Sequence, residues 1–199
     1  MNETKTGTTT VGLITKDGVV LATESKATMG NLVSDKHVKK IIQIDDHIAI
    51  TTAGSVGDVQ IIGRFLKSEA NLYFVERGKK IPVEALATLL SNVLNSNRFF
   101  PYLGQFILAG YDTQPRLFEL DPVGGMIEKK YSATGSGSPI AYGILEDGFQ
   151  ENMKLEDGIK LALRAVKAAS ERDAFSGGRI NLAVITKKGF QELNAEEYM

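Results

Sequence analysis

Apolar and β-branched residues occur in short runs over the first part of the chain, separated by polar residues and glycine. Two such runs, 8–15 and 19–25, are joined by the polar turn 16–18, whose last residue is glycine. This pattern predicts a β-hairpin. The mixed segment 26–40 contains Gly30-Asn31 and predicts short strands around a turn.

A second hairpin is predicted from runs 41–44 and 48–53, which flank a polar turn. Beyond Gly54 the spacing of apolar residues changes to three or four, which predicts a long helix that Gly78 ends. The residues at this helical spacing are Val59, Ile62, Leu66, Ala70 and Tyr73. The chain therefore passes from paired strands to a helix near Gly54.

A second helix and a second group of strands follow. A second helix is predicted from Pro82 to about Asn97, followed by strands 105–111, 116–121 and 126–132, which we expect to form one antiparallel meander.

Two further helices, 138–147 and 155–171, precede a last strand at 180–186, and we expect the acidic tail to be frayed. Strands, two helices, strands, two helices and a strand favour an α+β fold, a four-layer αββα sandwich of two antiparallel sheets between helix layers.

Composition narrows the classes of function. The 199 residues suit one domain; 23 basic and 24 acidic side chains form no basic stripe, so no nucleic-acid partner is expected. Cysteine is absent and no apolar run could cross a membrane, so we expect a soluble cytoplasmic protein. The only histidines, His37 and His47, are read as surface or hydrogen-bonded residues. Metal sites, cofactors and Ser-His-Asp catalysis are therefore not expected.

Gly7-Thr8-Thr9-Thr10, close to the start, is the most informative motif. Cleavage after Gly7 would give Thr8 both a hydroxyl nucleophile and a free amine that can accept its proton, because an α-amine has a pKa of about 7.7–8.0. The same threonines could equally begin an edge strand.

Charged and small polar residues could complete such a site. Glu24 lies at the end of the strand predicted to pair beside Thr8, and Lys40 is a second charged candidate. Gly54, between a strand and a helix, could offer an oxyanion donor. Taken separately, Glu24 and Lys40 would be interpreted as surface charges and Gly54 as a turn residue. The polar segments 134–139 and 172–178 could likewise be a loop and a helix end.

Together, in this order, these motifs resemble the β subunits of the 20S proteasome, most closely the archaeal type, which are N-terminal nucleophile hydrolases of the threonine peptidase family. The resemblance spans the chain from Gly7 to the last strand. It rests on Gly7-Thr8-Thr9-Thr10, residues 23–30, Lys39-Lys40, residues 53–58, Gly135-Ser136-Gly137-Ser138, Arg172-Asp173 and Ser176-Gly177-Gly178.

The resemblance implies that residues 1–7 are a propeptide, removed by autocatalytic cleavage, and that 8–199 form one domain. It assigns Thr8 as nucleophile and Glu24 and Lys40 as its charged partners. It also implies that Asp173, Ser136 and Ser176 orient the terminal amine and a water, and that the Gly54 amide is the oxyanion donor.

The resemblance further implies that substrate binds as an added strand along the backbone of Thr28, Gly54 and Val56. It implies a specificity pocket lined by Ala27, Val38, Thr52 and Val56. With no charged side chain in that lining, cleavage after hydrophobic residues is expected. The chain departs from the family at Lys26, where arginine is common; lysine keeps the charge but not the planar fork.

The family's particle implies partners: proteasome α subunits, other β subunits in stacked seven-membered rings, an ATP-driven unfoldase and unfolded polypeptides. The chain itself has no P-loop motif. An unprocessed, non-catalytic ring subunit is the alternative, which the full set Thr8, Glu24, Lys40 and Asp173 disfavours. A simpler bacterial two-ring relative is a closer alternative, which Ser176-Gly177-Gly178 and the chain length disfavour.

Overall fold

Two five-stranded antiparallel sheets form the centre of the protein, which a computed structural model describes over residues 7–199. In spatial order, the first sheet consists of β10 (Tyr131–Thr134), β1 (Thr10–Ile14), β2 (Gly18–Glu24), β11 (Ile180–Thr186) and β12 (Gly189–Leu193). The second consists of β5 (Ile41–Asp45), β6 (Ile48–Gly54), β7 (Gly104–Tyr111), β8 (Pro115–Leu120) and β9 (Met126–Glu128). A separate hairpin contains β3 (Ala27–Met29) and β4 (Leu32–Asp35).

Two helices cover the outer face of each sheet. They are α1 (Val56–Arg77) and α2 (Val83–Ser96) on the second sheet, and α3 (Ser138–Gly148) and α4 (Leu155–Arg172) on the first. Separate apolar clusters fill each helix–sheet interface, and a third joins the inner faces of the two sheets. The predicted four-layer αββα sandwich is therefore confirmed. Of the helices within residues 7–199, none has the length and apolar character of a membrane span.

The predicted hairpins and helices agree closely with the structure. Thr10 lies opposite Thr23 in the β1–β2 pair, so the end of β2 lies beside the start of β1. Gly78 ends α1 with φ 64°, a left-handed conformation that glycine adopts without steric cost. These local patterns bring the segment around Thr8 next to Glu24.

The predicted strand 126–132 is wrong as a single element. It is two strands in different sheets: β9 pairs with β8, and β10 pairs with β1. The chain crosses between sheets at Lys129 and Lys130, because the Lys129 amide donates to Leu117 of the second sheet while the Lys130 carbonyl accepts from Ile14 of the first.

The expectation of a frayed tail is also wrong. Residues of β12 pair along β11, and a short 3-10 helix, Ala195–Tyr198, follows. Ala195 is buried in the cluster beneath α4, and Tyr198 packs against that cluster. Apolar packing therefore orders a segment whose acidic composition suggested otherwise.

Candidate active site

The Thr8 side chain is buried just before β1, within reach of both a cation and the preceding carbonyl. The Lys40 ammonium donates a hydrogen bond to Thr8 Oγ1 at 3.0 Å, and this hydroxyl donates to the Gly7 carbonyl oxygen at 2.7 Å. The Gly7–Thr8 peptide bond is intact, so the Thr8 nitrogen is an amide and donates to Ser136 Oγ at 3.2 Å. The Thr8 hydroxyl is therefore hydrogen-bonded to both the Lys40 ammonium and the Gly7 carbonyl.

Glu24 and Lys40 form a buried ion pair beside Thr8. The Glu24 carboxylate also accepts three backbone N–H groups, from Thr9 at 3.2 Å, Lys26 at 2.6 Å and Gly177 at 3.1 Å. A buried carboxylate is tolerated when its lone pairs are satisfied in this way. The ion pair is therefore anchored by backbone from three segments.

Lys40 is only 4% exposed, and its ammonium also donates to the Lys26 carbonyl at 2.7 Å. Burial lowers the pKa of Lys40 from its ordinary value, although the Glu24 carboxylate acts in the opposite direction. A lysine with a lowered pKa gives up its proton more readily, which favours a role in proton transfer.

Asp173, Ser136 and Ser176 form a second network at the backbone of Thr8. Asp173 lies at the C-cap of α4, and its Oδ2 accepts from Ser136 Oγ at 2.5 Å and Ser176 Oγ at 2.6 Å. Gly135 has φ 91°, and a Cβ there would lie 2.1 Å from the Thr8 carbonyl oxygen. This segment therefore needs glycine to approach Thr8.

Gly7 fits a space that excludes any side chain. A Cβ at Gly7 would lie 1.7 Å from the Phe175 Cβ and 2.8 Å from Ser136 Oγ, and the Gly7 amide donates to Thr28 Oγ1 at 3.3 Å. The rest of the predicted propeptide, residues 1–6, lies outside the described residues.

A cavity of about 90 Å³ opens beside Thr8. All the residues predicted to bind substrate line it: Ala27, Thr28, Val38, Thr52, Gly54 and Val56. Gly54 has φ 144°, and a Cβ there would lie 2.1 Å from the Leu103 carbonyl oxygen, so glycine is required at the end of β6. The N-terminus of α1, with its partial positive charge, begins two residues later.

The prediction of a lining without charge is wrong in part. Lys39 and Lys40 also line the cavity, together with Ile42, Val59 and Gln60, and none of these five is among the predicted lining residues. In the sequence, Val59 indicates only the helical spacing of α1. Both ammonium groups have carboxylate partners, since Lys40 contacts Glu24 and Lys39 lies 3.2 Å from Glu192.

Lys26 connects the Glu24 network to the segment that follows Asp173. Its ammonium donates to the Ala174 carbonyl at 2.9 Å, while its amide binds Glu24. This ammonium adds one hydrogen bond to the backbone contacts of the 174–177 segment, such as that of the Gly177 amide with Glu24, whereas a guanidinium could add two.

A more open cavity of about 530 Å³ is lined by residues that include His47 and Lys80. His47 is buried, and its Nε2 lies 2.9 Å from the Ile81 carbonyl oxygen. Among the described residues, Asp45, Asp46 and His47 form the one group with three potential metal ligands. The Lys80 ammonium already contacts the Asp46 carboxylate. No predicted site residue lines this cavity.

Comparisons with known proteins agree on a family. The family model described as "Proteasome subunit" matches residues 4–185. The chain is 59% identical over 194 residues to "Proteasome subunit beta" of Methanocaldococcus fervens, covering 96% of this chain and 87% of that protein. It is 50% identical over 197 residues to "Proteasome subunit beta 1" of Thermococcus onnurineus, covering 99% and 97%. It is 48% identical to "Proteasome subunit beta" of Picrophilus torridus over 200 residues, covering 100% and 95%. The chain therefore belongs to the proteasome subunit family, as a β subunit of the archaeal type.

Proposed function

We propose that this β subunit is a threonine endopeptidase that removes its own leader after Gly7 and then uses Thr8 as nucleophile. One observation carries the proposal: the Thr8 hydroxyl bonds the Gly7 carbonyl at 2.7 Å while accepting a hydrogen bond from Lys40 at 3.0 Å. The nucleophile is thus within hydrogen-bond reach of both the scissile carbonyl and a cation.

Leader removal begins with attack of Thr8 Oγ1 on the Gly7 carbonyl carbon. The amide nitrogen of Thr8 cannot accept the hydroxyl proton at this stage, so the nearest basic nitrogen is Lys40 Nζ, once neutral. The C–N bond then breaks, the nitrogen takes up the proton and an ester links Gly7 to Thr8. Water hydrolyses this ester, which frees the Gly7 carboxylate and the Thr8 amine.

Peptide hydrolysis repeats the attack on a bound substrate. The freed α-amine now accepts the hydroxyl proton, and the Lys40 ammonium stabilises negative charge on Oγ1. Asp173, Ser136 and Ser176 orient the amine and the water, and the Gly54 amide stabilises the oxyanion. An acyl-ester forms on Thr8 as the protonated α-amine passes its proton to the departing nitrogen of the amine product, and water then hydrolyses the ester to release the acid product.

Substrate is proposed to lie as an added strand along Thr28, Gly54 and Val56, with one side chain in the cavity beside Thr8. Because backbone recognition accepts many sequences, an enclosing chamber is the expected safeguard. We therefore propose assembly with α subunits and other β subunits in stacked seven-membered rings in the cytoplasm. An ATP-driven unfoldase would supply unfolded polypeptide.

The test uses the particle assembled with α subunits. Intact mass should show loss of residues 1–7, and a threonine-reactive covalent inhibitor should add its mass to the peptide that begins with Thr8. Thr8→Ala should abolish peptide hydrolysis, whereas Thr8→Ser, which keeps hydroxyl and amine, should retain a measurable rate. Undiminished hydrolysis by the alanine variant would refute the proposal. Retention of residues 1–7 in a complete wild-type particle would favour a non-catalytic ring subunit instead.

A further inference from the structure

We propose that Thr9 is a positioning residue: its hydroxyl holds the Asp173–Ser176 pair and its backbone holds the Glu24 carboxylate, on two sides of Thr8. This inference rests on the function proposed above. Thr9 is fully buried, and its hydroxyl oxygen lies 2.6 Å from Ser176 Oγ. From the sequence alone, Thr9 is one member of the Gly7-Thr8-Thr9-Thr10 motif, with no role of its own.

The direction of this hydrogen bond follows from the donors available. Ser176 Oγ donates to Asp173 Oδ2 at 2.6 Å, so its single proton is committed. The Thr9 hydroxyl must then be the donor to Ser176. The result is a chain of hydrogen bonds from Thr9 through Ser176 to Asp173, the carboxylate that also accepts from Ser136.

The backbone of Thr9 binds the other network. Its amide donates to Glu24 Oε1 at 3.2 Å, and its carbonyl accepts from the Glu24 amide at 3.2 Å. One residue therefore contacts both the partner of Lys40 and the partner of Asp173. Any shift of Thr9 would move these groups relative to the Thr8 nitrogen and hydroxyl.

The space beside the Thr9 hydroxyl has no room for a side chain at position 137. A Cβ at Gly137 would lie 2.0 Å from Thr9 Oγ1 and 3.3 Å from Ser176 Oγ. Glycine at 137 thus leaves room for the buried contact between Thr9 and Ser176. Side chains alternate along this extended segment, so Thr10 contacts a different pair of residues, Thr51 at 2.9 Å and Thr134 at 2.8 Å.

The test replaces the hydroxyl with a methyl group of similar size, Thr9→Val, in the assembled particle. Rates are expressed per active site labelled by a threonine-reactive covalent inhibitor, so that incomplete leader removal does not affect kcat. We expect kcat to fall about 5- to 100-fold with KM within about twofold, because Ser176 loses a buried donor. Thr9→Ser, which restores the hydroxyl, should recover kcat to within about threefold.

Thr10→Val is the matched control, because it removes a buried threonine hydroxyl from the next residue without touching Ser176. Its kcat should match the wild type even if its melting temperature falls. In a Ser176→Ala background, Thr9→Val should cause no further loss of kcat. Additive losses, full activity of Thr9→Val, or no recovery in Thr9→Ser would each overturn the inference. Activity of Thr8→Ala would instead refute the underlying function.

Discussion

At the scale of single residues, two Lys–Glu pairs show that the surroundings of an ion pair decide the direction in which the pKa of the lysine shifts. Lys40–Glu24 is buried, and Lys129–Glu119 is partly exposed. Burial lowers the pKa of Lys40 despite Glu24. At Lys129, burial acts in the same direction, but hydrogen bonds to Glu119 and Tyr142 outweigh it and raise the pKa. A proton that is easily released is useful only at the first of these sites, beside Thr8.

Lys40→Met should therefore abolish leader removal, whereas Lys129→Met should leave it intact. The first substitution removes the cation beside Thr8 and leaves Glu24 buried without its partner, which we expect to destabilise the fold by about 3 kcal/mol. The second breaks a pair whose side chains are 30% exposed and should destabilise by less. Intact mass and thermal melting measure both effects. Complete processing of the Lys40→Met variant would exclude Lys40 from the cleavage step.

Residue identities at the site were predictable only in part from the sequence. Glu24 could be placed beside Thr8 because hairpin pairing depends on local spacing. Asp173 and Ser136, far apart along the chain, were assigned from family resemblance, since no local pattern brings their segments together. Thr9 and Ile42 gave no signal, because a threonine in a threonine run and an isoleucine in a strand read first as strand residues.

At the scale of elements, helices and hairpins were predictable because their periodicity is local, whereas assignment to a sheet was not. β9 and β10 follow each other closely yet pair in different sheets. The Lys129-Lys130 crossover carries no glycine or proline to mark it. Such a choice depends on which distant strand offers a free edge, which a single sequence does not state.

The acidic composition of the C-terminal segment gives no indication of its 3-10 helix. The contribution of this helix to the free energy of unfolding can be measured. Deletion of residues 195–199 removes buried Ala195 and uncovers apolar surface beneath α4. We expect a loss of about 2 kcal/mol and a melting temperature lower by roughly 4–8 °C. Deletion of Met199 alone, which is 68% exposed, is the control and should change little. Equal melting temperatures for both deletions would show that the 3-10 helix adds no stability.

At the scale of the whole molecule, the site depends on all four layers. Thr8 precedes a strand of the first sheet, the cavity is bounded by β6 of the second, α1 contributes Val56, and α4 ends at Asp173. The apolar cluster between the sheets fixes their relative position. Packing far from Thr8 therefore sets the distances on which the chemistry depends.

The lining of the cavity beside Thr8 predicts which peptide bonds the assembled particle cuts. Its wall combines apolar residues such as Ile42 and Val56 with two lysines, the exposed Lys39 and the buried Lys40. A hydrophobic side chain before the scissile bond should be favoured because it gains burial without losing hydration of a charge. Among charged side chains, an acidic one should be cleaved faster than a basic one, which would meet ammonium groups of like sign.

Fluorogenic peptides that end in a hydrophobic, an acidic or a basic residue measure this order by kcat/KM. Replacing Lys39 with methionine should narrow the gap between the acidic and basic peptides, whereas Lys188→Met, in the β11–β12 turn, should leave all three rates unchanged. Both lysines are exposed and each substitution removes one positive charge, but Lys39 lines the cavity and pairs with Glu192, whereas Lys188 lies away from the cavity. Faster cleavage of either charged peptide than of the hydrophobic one would mean that apolar burial does not govern the choice of substrate side chain.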